Sequence, residues 1–402
     1  MYDFDELIVR DGTNCIKHDA LHAQKGKELI PLWVADMDFK TPEFIVDALK
    51  ERLGHPVFGY TALPEGYFEL ISRWVEDIHG WKTDPSHYSF IPGIVRGIGF
   101  VLECFCSPGD KVIIQPPVYH PFRNVPTGLG YEVVSNPLRP RYAEDGRLDG
   151  YDMDFEQLES IIDERTRVLV LSNPHNPAGI AWSADTLRKL AEITSRRGVM
   201  VISDEIHAEM VFGSQHGLAR HIPYASVSAE AASNSVTFMA PTKTFNIAGI
   251  VSSYAIVPDP SLRERLFKYL EAIEIDFPTS LFSPIATIAA YTHGKQWRDE
   301  MLDYVQGNVD FVHDYIEENI PGMHALKPQA SFLVWLDCRG LGLSQEQLAD
   351  LFEQKAHLAL NDGAMFGGPG YMRLNIGCPR SILRTALEQL RDAVRETTRK
   401  NK

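Results

Sequence analysis

Short apolar runs rich in Val and Ile recur through the middle of the chain and constrain its fold more than any other feature. The runs occupy residues 111–115, 168–172, 199–203, 235–239 and 254–257. Continuous apolar runs of this length are typical of strands covered on both faces. The segment 183–198 begins with Ser183 as a candidate N-cap, carries Leu187 and Leu190 at helical spacing, and lies between two runs. This strand–helix–strand order predicts an α/β fold with a parallel sheet.

Elements of a different kind are expected towards the two ends of the chain. They are a helix over 42–53, strands at 331–337 and 371–376, and a last helix over 382–399. We therefore expect a large domain over residues 45–285 and a smaller one formed by 1–44 together with 286–402. The polar, turn-rich segment 139–150 is predicted to be an exposed excursion.

Composition excludes several classes of protein. The 402 residues include 54 acidic and 39 basic side chains, which gives a formal charge of −15 and no Lys/Arg run. Proteins held by phosphate contacts need a basic face, so nucleic acid is not an expected partner. With 44% hydrophobic and 23% charged residues the composition is that of a folded globular protein.

The cysteines and the first residues indicate a cytoplasmic protein. The five cysteines are scattered and form no C-x-x-C pair, which is typical of a reducing compartment. The start, MYDFDE, is acidic where a signal peptide is basic, and no apolar run reaches membrane-spanning length. We expect neither a membrane partner nor a bound metal.

Chemically distinctive side chains follow four of the apolar runs. Tyr119, Asn176, Asp204 and Lys243 each come shortly after a run. Ligands of parallel sheets bind beyond the carboxyl ends of the strands, so these four side chains should lie close together. An amine for a Schiff base, an acid for a pyridine nitrogen, a donor to a phenolic oxygen and an aromatic ring are what pyridoxal phosphate requires.

A phosphate site is expected where the sequence PGIVRG, residues 92–97, precedes an apolar helical stretch. The free N–H groups at a helix N-terminus favour an anion. The sequence contains neither G-x-x-x-x-G-K-[ST] nor G-x-G-x-x-G, so nucleotide-binding fingerprints are missing.

Three motifs together resemble the fold-type I pyridoxal phosphate enzymes of the aminotransferase class I/II superfamily. They are SNPHNPAG at 172–179, SDEIH at 203–207 and APTKTFNIAG at 240–249. Within that superfamily, WVADMDF at 33–39 and FGYT at 58–61 are similar to the MalY/PatB group of carbon–sulfur β-lyases. The resemblance covers nearly the whole chain. It implies a large three-layer domain with a mainly parallel mixed sheet, and a smaller α+β domain.

The resemblance assigns roles at the reactive end of pyridoxal phosphate. It implies that Lys243 forms the Schiff base and then moves the substrate's Cα proton. Asp204 pairs with the pyridinium nitrogen and is expected to stay ionised, Asn176 binds the phenolic oxygen, and Tyr119 stacks on the ring. Lys243, Tyr119 and Asp204 are the expected catalytic residues.

Phosphate binding is likewise implied by the resemblance. Backbone N–H groups of Gly93, Ile94 and Val95 bind the phosphate, and Thr242 and Tyr60 add hydroxyl groups. Tyr60 is expected to come from the neighbouring subunit of a homodimer whose active sites are shared across the interface.

Binding of an amino-acid substrate is assigned to four residues by the same resemblance. Arg373 clamps the α-carboxylate, for which a planar guanidinium is suited. Ala35, Tyr119 and Asn176 complete the expected substrate contacts.

The chain departs from many aminotransferases at three places. It has His207 three residues after the pyridine-binding Asp where they have Tyr, and Ala240 three residues before the lysine where they have Ser. Apolar Ile250 and Val251 stand where they have a phosphate-binding Arg. His207, expected next to the cofactor, is what the β-lyase group carries and favours a lyase over a transaminase.

Three other functions stay open at this point. The first is a pyridoxal-phosphate-dependent aminotransferase, since the same residues serve transamination. The second is a metal-dependent hydrolase, although the spacing matches neither H-E-x-x-H nor the zinc deaminase signature. Its candidate ligands are Asp204, Glu205, His207, Glu209 and His175. The third is a non-catalytic binding module or regulator.

Overall fold

A computed structural model describes residues 2–26, 29–278 and 280–400. Its strands are β1 Ile30–Pro31, β2 Tyr88–Ile91, β3 Lys111–Ile114, β4 Glu132–Ser135, β5 Arg139–Tyr142, β6 Leu148–Asp152, β7 Thr166–Ser172, β8 Met200–Asp204, β9 Ser235–Met239, β10 Ser253–Ile256, β11 His324–Ala325, β12 Leu333–Asp337, β13 Leu358–Ala359, β14 Asn361–Asp362 and β15 Tyr371–Asn375.

Its α-helices are α1 Leu21–Lys25, α2 Glu43–Leu53, α3 Tyr67–His79, α4 Ile94–Phe105, α5 Pro121–Gly128, α6 Phe155–Ile161, α7 Ala184–Arg196, α8 Ala229–Ser233, α9 Pro260–Ala272, α10 Phe282–His293, α11 Lys295–Asn319, α12 Gln345–Asp350 and α13 Arg380–Lys400. Short 3₁₀ and π turns join several of these elements. In the described part of the chain, no helix combines the length and apolar character needed to cross a bilayer.

The predicted apolar runs form the centre of a seven-stranded sheet with the order β2-β10-β9-β8-β7-β3-β4. The pairs from β4 through β9 are parallel, whereas β10 runs antiparallel to both of its neighbours. The fully described connection 240–252 contains no α-helix, the usual crossover between parallel strands. The expectation of a mainly parallel mixed sheet is thus confirmed, while the run at 254–257 contributes an antiparallel strand.

Side chains of β7 show why the runs are apolar throughout. Val168 and Val170 pack in one core cluster with residues of α4 and α9, whereas Leu169 and Leu171 pack in another with residues of α7. All four side chains are buried. The sheet therefore lies between two layers of helices, which confirms the predicted α/β fold class.

A second, antiparallel sheet has the order β11-β12-β15-β14 and includes the predicted strand pair, with Trp335 opposite Arg373. Strand β1 pairs in parallel with β13, which joins the N-terminal segment to this C-terminal part. The predicted boundary at residue 285 lies within α10. The division into two domains stays a prediction.

The predicted exposed excursion, 139–150, is an antiparallel hairpin of β5 and β6. All residues of β5 are exposed, as expected. Strand β6 differs, because Leu148 and Tyr151 are buried in the core cluster that also contains α7 residues. These two buried side chains anchor the hairpin to the rest of the protein.

Candidate active site

A cavity of about 320 Å³ lies at the carboxyl ends of the central strands. Most of the predicted site residues line it, namely Ala35, Gly93, Ile94, Val95, Tyr119, Asn176, Asp204, His207, Thr242 and Lys243. A larger cavity of about 720 Å³ lies nearby and is lined by none of them. The chemistry expected from the sequence thus collects at the smaller cavity.

Lys243 follows β9, and its Nζ donates a hydrogen bond of 2.5 Å to the carbonyl oxygen of Ala35. Burial lowers the pKa of the amine to about 8, and the positive charge of Arg373 acts in the same direction. Asp36 and Asp204 oppose this shift because they favour the charged form. With this pKa roughly a tenth of the amine is neutral at pH 7, far more than for an ordinary lysine, and the neutral form is the one that acts as a nucleophile or base.

Asp204 is the last residue of β8 and is buried. Its Oδ1 accepts a hydrogen bond of 3.1 Å from the N–H of Ile206. Burial nevertheless raises the pKa of the carboxyl to about 7. An ionised Asp204 is expected from the sequence, but without a cationic partner desolvation of the carboxyl opposes that state. A cation in the cavity would restore it.

Tyr119 and Asn176 are held to each other through the backbone. The N–H of Tyr119 donates to the carbonyl oxygen of Asn176 at 3.1 Å, and the N–H of Asn176 donates to Ser172 Oγ at 3.0 Å. Burial raises the pKa of the Tyr119 phenol, with the charge of Asp204 adding to the shift, so the hydroxyl stays protonated.

Arg373 lies on β15 of the small sheet and reaches the edge of the cavity from there. Its Nη1 donates to Asn176 Oδ1 at 3.0 Å, and its Nη2 donates to Trp33 O at 3.1 Å and to Asn361 Oδ1 at 2.6 Å. Its buried Nε has no hydrogen-bond partner among the described residues. Burial lowers the pKa of the guanidinium to about 10, so it remains a cation at neutral pH. Because the carboxamide oxygen of Asn176 is engaged, its NH₂ group is left to donate elsewhere.

Gly93 precedes α4 with φ 99°, a conformation that favours glycine. As the first residues of that helix, Ile94 and Val95 have N–H groups without acceptors inside the helix. The N–H of Gly93 itself donates to the carbonyl oxygen of Ile91 at 2.9 Å. Two of the three predicted backbone donors thus belong to the helix N-terminus, and the third is already engaged. Thr242 is buried beside them in the cavity lining.

His207 is buried, with Nδ1 at 3.2 Å from Ser331 Oγ. Burial lowers the pKa of its imidazole to about 3, with the charges of Lys243 and Arg373 acting in the same direction. His207 is therefore neutral, and it borders the cavity.

Tyr60 is the predicted site residue that this single chain does not bring to the cavity. Its side chain is fully exposed, and Val57 and Phe58 next to it are exposed as well. The remaining residue, Arg373, is connected to the cavity through Asn176.

The candidate ligands of a metal-dependent hydrolase are bound to separate partners. Glu205 Oε2 lies 2.6 Å from His221 Nε2, and Glu209 Oε1 accepts from Trp74 Nε1 at 2.7 Å. His175 Nε2 lies 2.8 Å from Pro117 O. These side chains do not converge on a common point with Asp204.

Asn246 supports the site and was not identified from the sequence, although it lies in the quoted motif 240–249. Its side chain accepts from the N–H of Met37 at 2.9 Å and donates to the carbonyl oxygens of Met37 and Phe39 at 2.9 and 2.7 Å. The loop that carries Lys243 is thereby fixed to the segment that contains Ala35, the acceptor of the lysine amine.

Several known proteins are similar to this chain over nearly its full length. Cystathionine beta-lyase PatB of Bacillus subtilis is 38% identical, with 98% of this chain and 100% of PatB covered. The structure of cystalysin from Treponema denticola, which contains pyridoxal 5'-phosphate, matches with a TM-score of 0.92, 31% identity, and 99% and 100% of the two chains covered. The PLP-bound C–S lyase of Staphylococcus hominis gives a TM-score of 0.89, 30% identity and 98% coverage of both chains. The profile of the family "Aminotransferase class I and II" matches residues 27–390, and the chain belongs to that family.

Proposed function

We propose that the protein is a pyridoxal-phosphate-dependent carbon–sulfur β-lyase. It would cleave an L-amino acid that bears sulfur on Cβ, such as cystathionine or a cysteine conjugate, to a thiol, pyruvate and ammonia. The observation that carries the proposal is a buried amine of lowered pKa, Lys243, beside a buried acid, Asp204, in one cavity. The similarity to PatB and to the C–S lyase selects β-elimination among the reactions of the family.

The residues of the cavity fit pyridoxal phosphate. Burial raises the pKa of Asp204, so this carboxyl gains from a cationic ring nitrogen beside it. The helix N-terminus at Ile94 and Val95 suits the phosphate group, and Thr242 adds a hydroxyl. When bound, the cofactor supplies an aldehyde for Schiff-base formation and a ring that withdraws electrons from Cα.

Arg373 is suited to bind the α-carboxylate of the substrate. Three acceptors fix its two Nη atoms, while the buried Nε lacks a partner among the described residues. A carboxylate at Nε would therefore satisfy a desolvated donor and pair with a fixed charge. This contact would hold the amino acid by its carboxylate next to Asn176, which lines the cavity.

Lys243 is the group that moves the proton. With a pKa of about 8, its neutral amine can accept the Cα proton near neutral pH. Loss of this proton and of the Cβ–S bond releases the thiolate, and water then replaces nitrogen to give pyruvate and ammonia. His207 is neutral and the phenol of Tyr119 is protonated, so neither adds a charge that would compete with the amine.

We further propose that the enzyme is a cytoplasmic homodimer in which Tyr60 contributes its hydroxyl to the partner's phosphate site. Full exposure of Tyr60, together with exposed Val57 and Phe58, supports this arrangement. Such an apolar surface gains by burial against a second copy.

The proposal is tested by supplying L-cystathionine to the purified, cofactor-loaded protein without any keto acid. Continuous release of pyruvate and free thiol is expected, and Lys243→Ala should abolish it. Protein that stops after one half-turnover and resumes when a keto acid is added would be an aminotransferase.

A further inference from the structure

Three potential metal ligands meet near the N-terminus, away from the cavity described above. Asp11, His18 and His22 each offer one ligand atom, and these atoms lie within 4.8 Å of one another. His18 lies in a π-helical turn, Ile16–Ala20, that continues directly into α1, which contains His22. The two imidazoles are therefore four residues apart on one helical face, the spacing that lets side chains meet.

The distances within this cluster are those of groups around a common centre. Asp11 Oδ1 lies 3.4 Å from His22 Nδ1 and 4.0 Å from His18 Nδ1. Both separations exceed a good hydrogen bond. Ligand atoms of a tetrahedral zinc site, with bonds of about 2.0–2.1 Å, are separated by about 3.4 Å. The separation of Asp11 and His22 matches this value, whereas that of Asp11 and His18 would have to shorten for all three atoms to bind one ion.

Three of the four ring nitrogens of this cluster are buried without a hydrogen-bond partner among the described residues. Both nitrogens of His22 and Nε2 of His18 are buried and have no hydrogen-bond partner in the described part of the chain. Buried polar atoms without partners are costly, and most are satisfied by protein, water or an ion. A cation bound by His22 would remove part of that cost.

His18 has the surroundings of a metal-bound imidazole. Its Nδ1 faces Asp11, whereas its Nε2 lies 3.6 Å from Asp38 Oδ1 on the opposite side. Metal-binding histidines commonly direct their second ring nitrogen to a carboxylate, which fixes the tautomer and raises the basicity of the ligand. Asp38 is buried and paired with Lys17 at 2.7 Å and Arg10 at 2.6 Å.

We propose that Asp11, His18 and His22 bind a divalent transition-metal ion of the zinc class, with water as a further ligand. Two imidazoles and one carboxylate suit Zn²⁺, whereas Mg²⁺ and Ca²⁺ prefer oxygen ligands alone. The half-exposed side chain of Asp11 leaves the site open to water on one side. The site lies outside the active-site machinery.

A bound ion would help to fix the position of residues 35–38, which lie next to the active site. It links the segment 11–22 to Asp38 through His18, and Asp38 belongs to the same stretch as Ala35, whose carbonyl oxygen accepts from Lys243. Residues 35–38 are thus held from one side by Asn246 and from the other by this cluster. No metal was expected from the sequence, because this trio matches neither a cysteine pair nor a known zinc motif.

The proposal is tested by titrating ZnCl₂ into full-length, cofactor-loaded protein that has been treated with a chelator. Zinc is measured by competition with a chromophoric chelator, so the readout does not depend on activity. His22→Gln and Asp11→Asn are compared with His216→Gln, which removes an exposed imidazole paired with Asp303 at 2.7 Å. Asp11 and His216 are half-exposed, and glutamine keeps a polar side chain at position 22, so none of the three variants is expected to unfold.

Wild type and His216→Gln should each bind one equivalent of zinc at the same affinity. His22→Gln and Asp11→Asn should each lower the affinity for this zinc ion by at least about tenfold. The proposal would be overturned if the wild-type protein bound no zinc, or if the His22→Gln variant bound zinc with wild-type affinity. Magnesium chloride in place of zinc should leave the chelator competition unchanged, and binding of Mg²⁺ at comparable affinity would contradict the assigned ligand chemistry.

Discussion

At the residue scale, burial sets the ionisation of the central side chains. Lys243 and Asp204 have opposite charges, yet desolvation moves both towards their neutral forms, with pKa values of about 8 and 7. Their mutual attraction opposes this and is the smaller effect for both groups. The cavity therefore keeps more of its reactive amine neutral at physiological pH than is the case for an ordinary lysine.

The first prediction concerns the pH dependence of cofactor binding. The rate at which pyridoxal phosphate forms a Schiff base with the cofactor-free protein should rise as the pH increases through about 8 and then level off, because the neutral amine of Lys243 attacks. The rate at each pH is measured from the absorbance of the Schiff base. An ordinary lysine would give a midpoint near 10.5, and such a midpoint would contradict the lowered pKa.

A matched variant tests the cause of that shift. Asp36 raises the pKa of Lys243 by its negative charge. Asp36→Asn should therefore move the midpoint to lower pH in the same assay.

The second prediction concerns Arg373. Arg373→Ala should raise the KM for the amino-acid substrate by at least about thirtyfold, since a buried carboxylate–guanidinium contact contributes ~2 kcal/mol or more. The KM is measured by steady-state kinetics. Arg339→Ala removes an exposed arginine paired with Asp337 and serves as the control with an unchanged KM. Equal KM values for all three proteins would remove Arg373 from the substrate site.

Position along the chain explains which site residues were predictable. Tyr119, Asn176, Asp204 and Lys243 follow strands that end at the same sheet edge, so the run pattern alone predicted their proximity. The supporting contact of Asn246 with Met37 joins residues 209 positions apart. No local pattern encodes such a pairing.

At the element scale, helix α4 presents the N-terminus that is proposed to bind the phosphate, and two of its glycines differ in their surroundings. A Cβ at Gly97 would lie 2.8 Å from Ile91 Cγ2 and 2.9 Å from Phe238 Cζ. A Cβ at Gly99 would meet Val125 Cγ1 at an ordinary 3.6 Å. The bare backbone of Gly97 lets α4 pack closely against the sheet.

The third prediction compares these two glycines. Gly97→Ala should destabilise the protein by about 1–3 kcal/mol through overpacking, although alanine favours helices. Gly99→Ala should stabilise it by about 0.5–1 kcal/mol through helix propensity. Denaturant unfolding measured by circular dichroism distinguishes them. Equal changes in the free energy of unfolding for the two substitutions would show that the close packing around Gly97 does not disfavour a larger side chain there.

Central strands were predictable and edge strands were not. The runs at β7, β8 and β9 are long and apolar because both sheet faces are covered. At the edges, β2 contains a serine among its four residues, and β4 is only half-buried, so neither gives a continuous apolar signal. The direction of β10 was not encoded in its own residues, since it depends on the connection that precedes it.

At the scale of the whole molecule, the proposed dimer makes each active site depend on two chains. The fourth prediction follows from this. A Lys243→Ala chain lacks its own amine, and a Tyr60→Ala chain lacks the hydroxyl proposed to serve its partner. Mixing the two inactive or weakened variants should restore about a quarter of wild-type activity, because half of the random dimers are mixed and one of their two sites is complete.

The unmixed variants and the wild type, carried through the same mixing procedure, are the controls. Activity that does not exceed the average of the separate variants would mean that Tyr60 serves its own chain. A Tyr60→Ala protein with wild-type cofactor affinity would remove this residue from the phosphate site.

The contacts between the N-terminal segment and β15 also have a consequence for biosynthesis. Arg373 donates to the carbonyl oxygen of Trp33, 340 residues earlier in the chain, and β1 pairs with β13. At ribosomal rates of about 5–20 residues per second, on the order of tens of seconds separate the synthesis of these partners. A nascent chain therefore contains Lys243 well before Arg373, and the arginine end of the site is completed last.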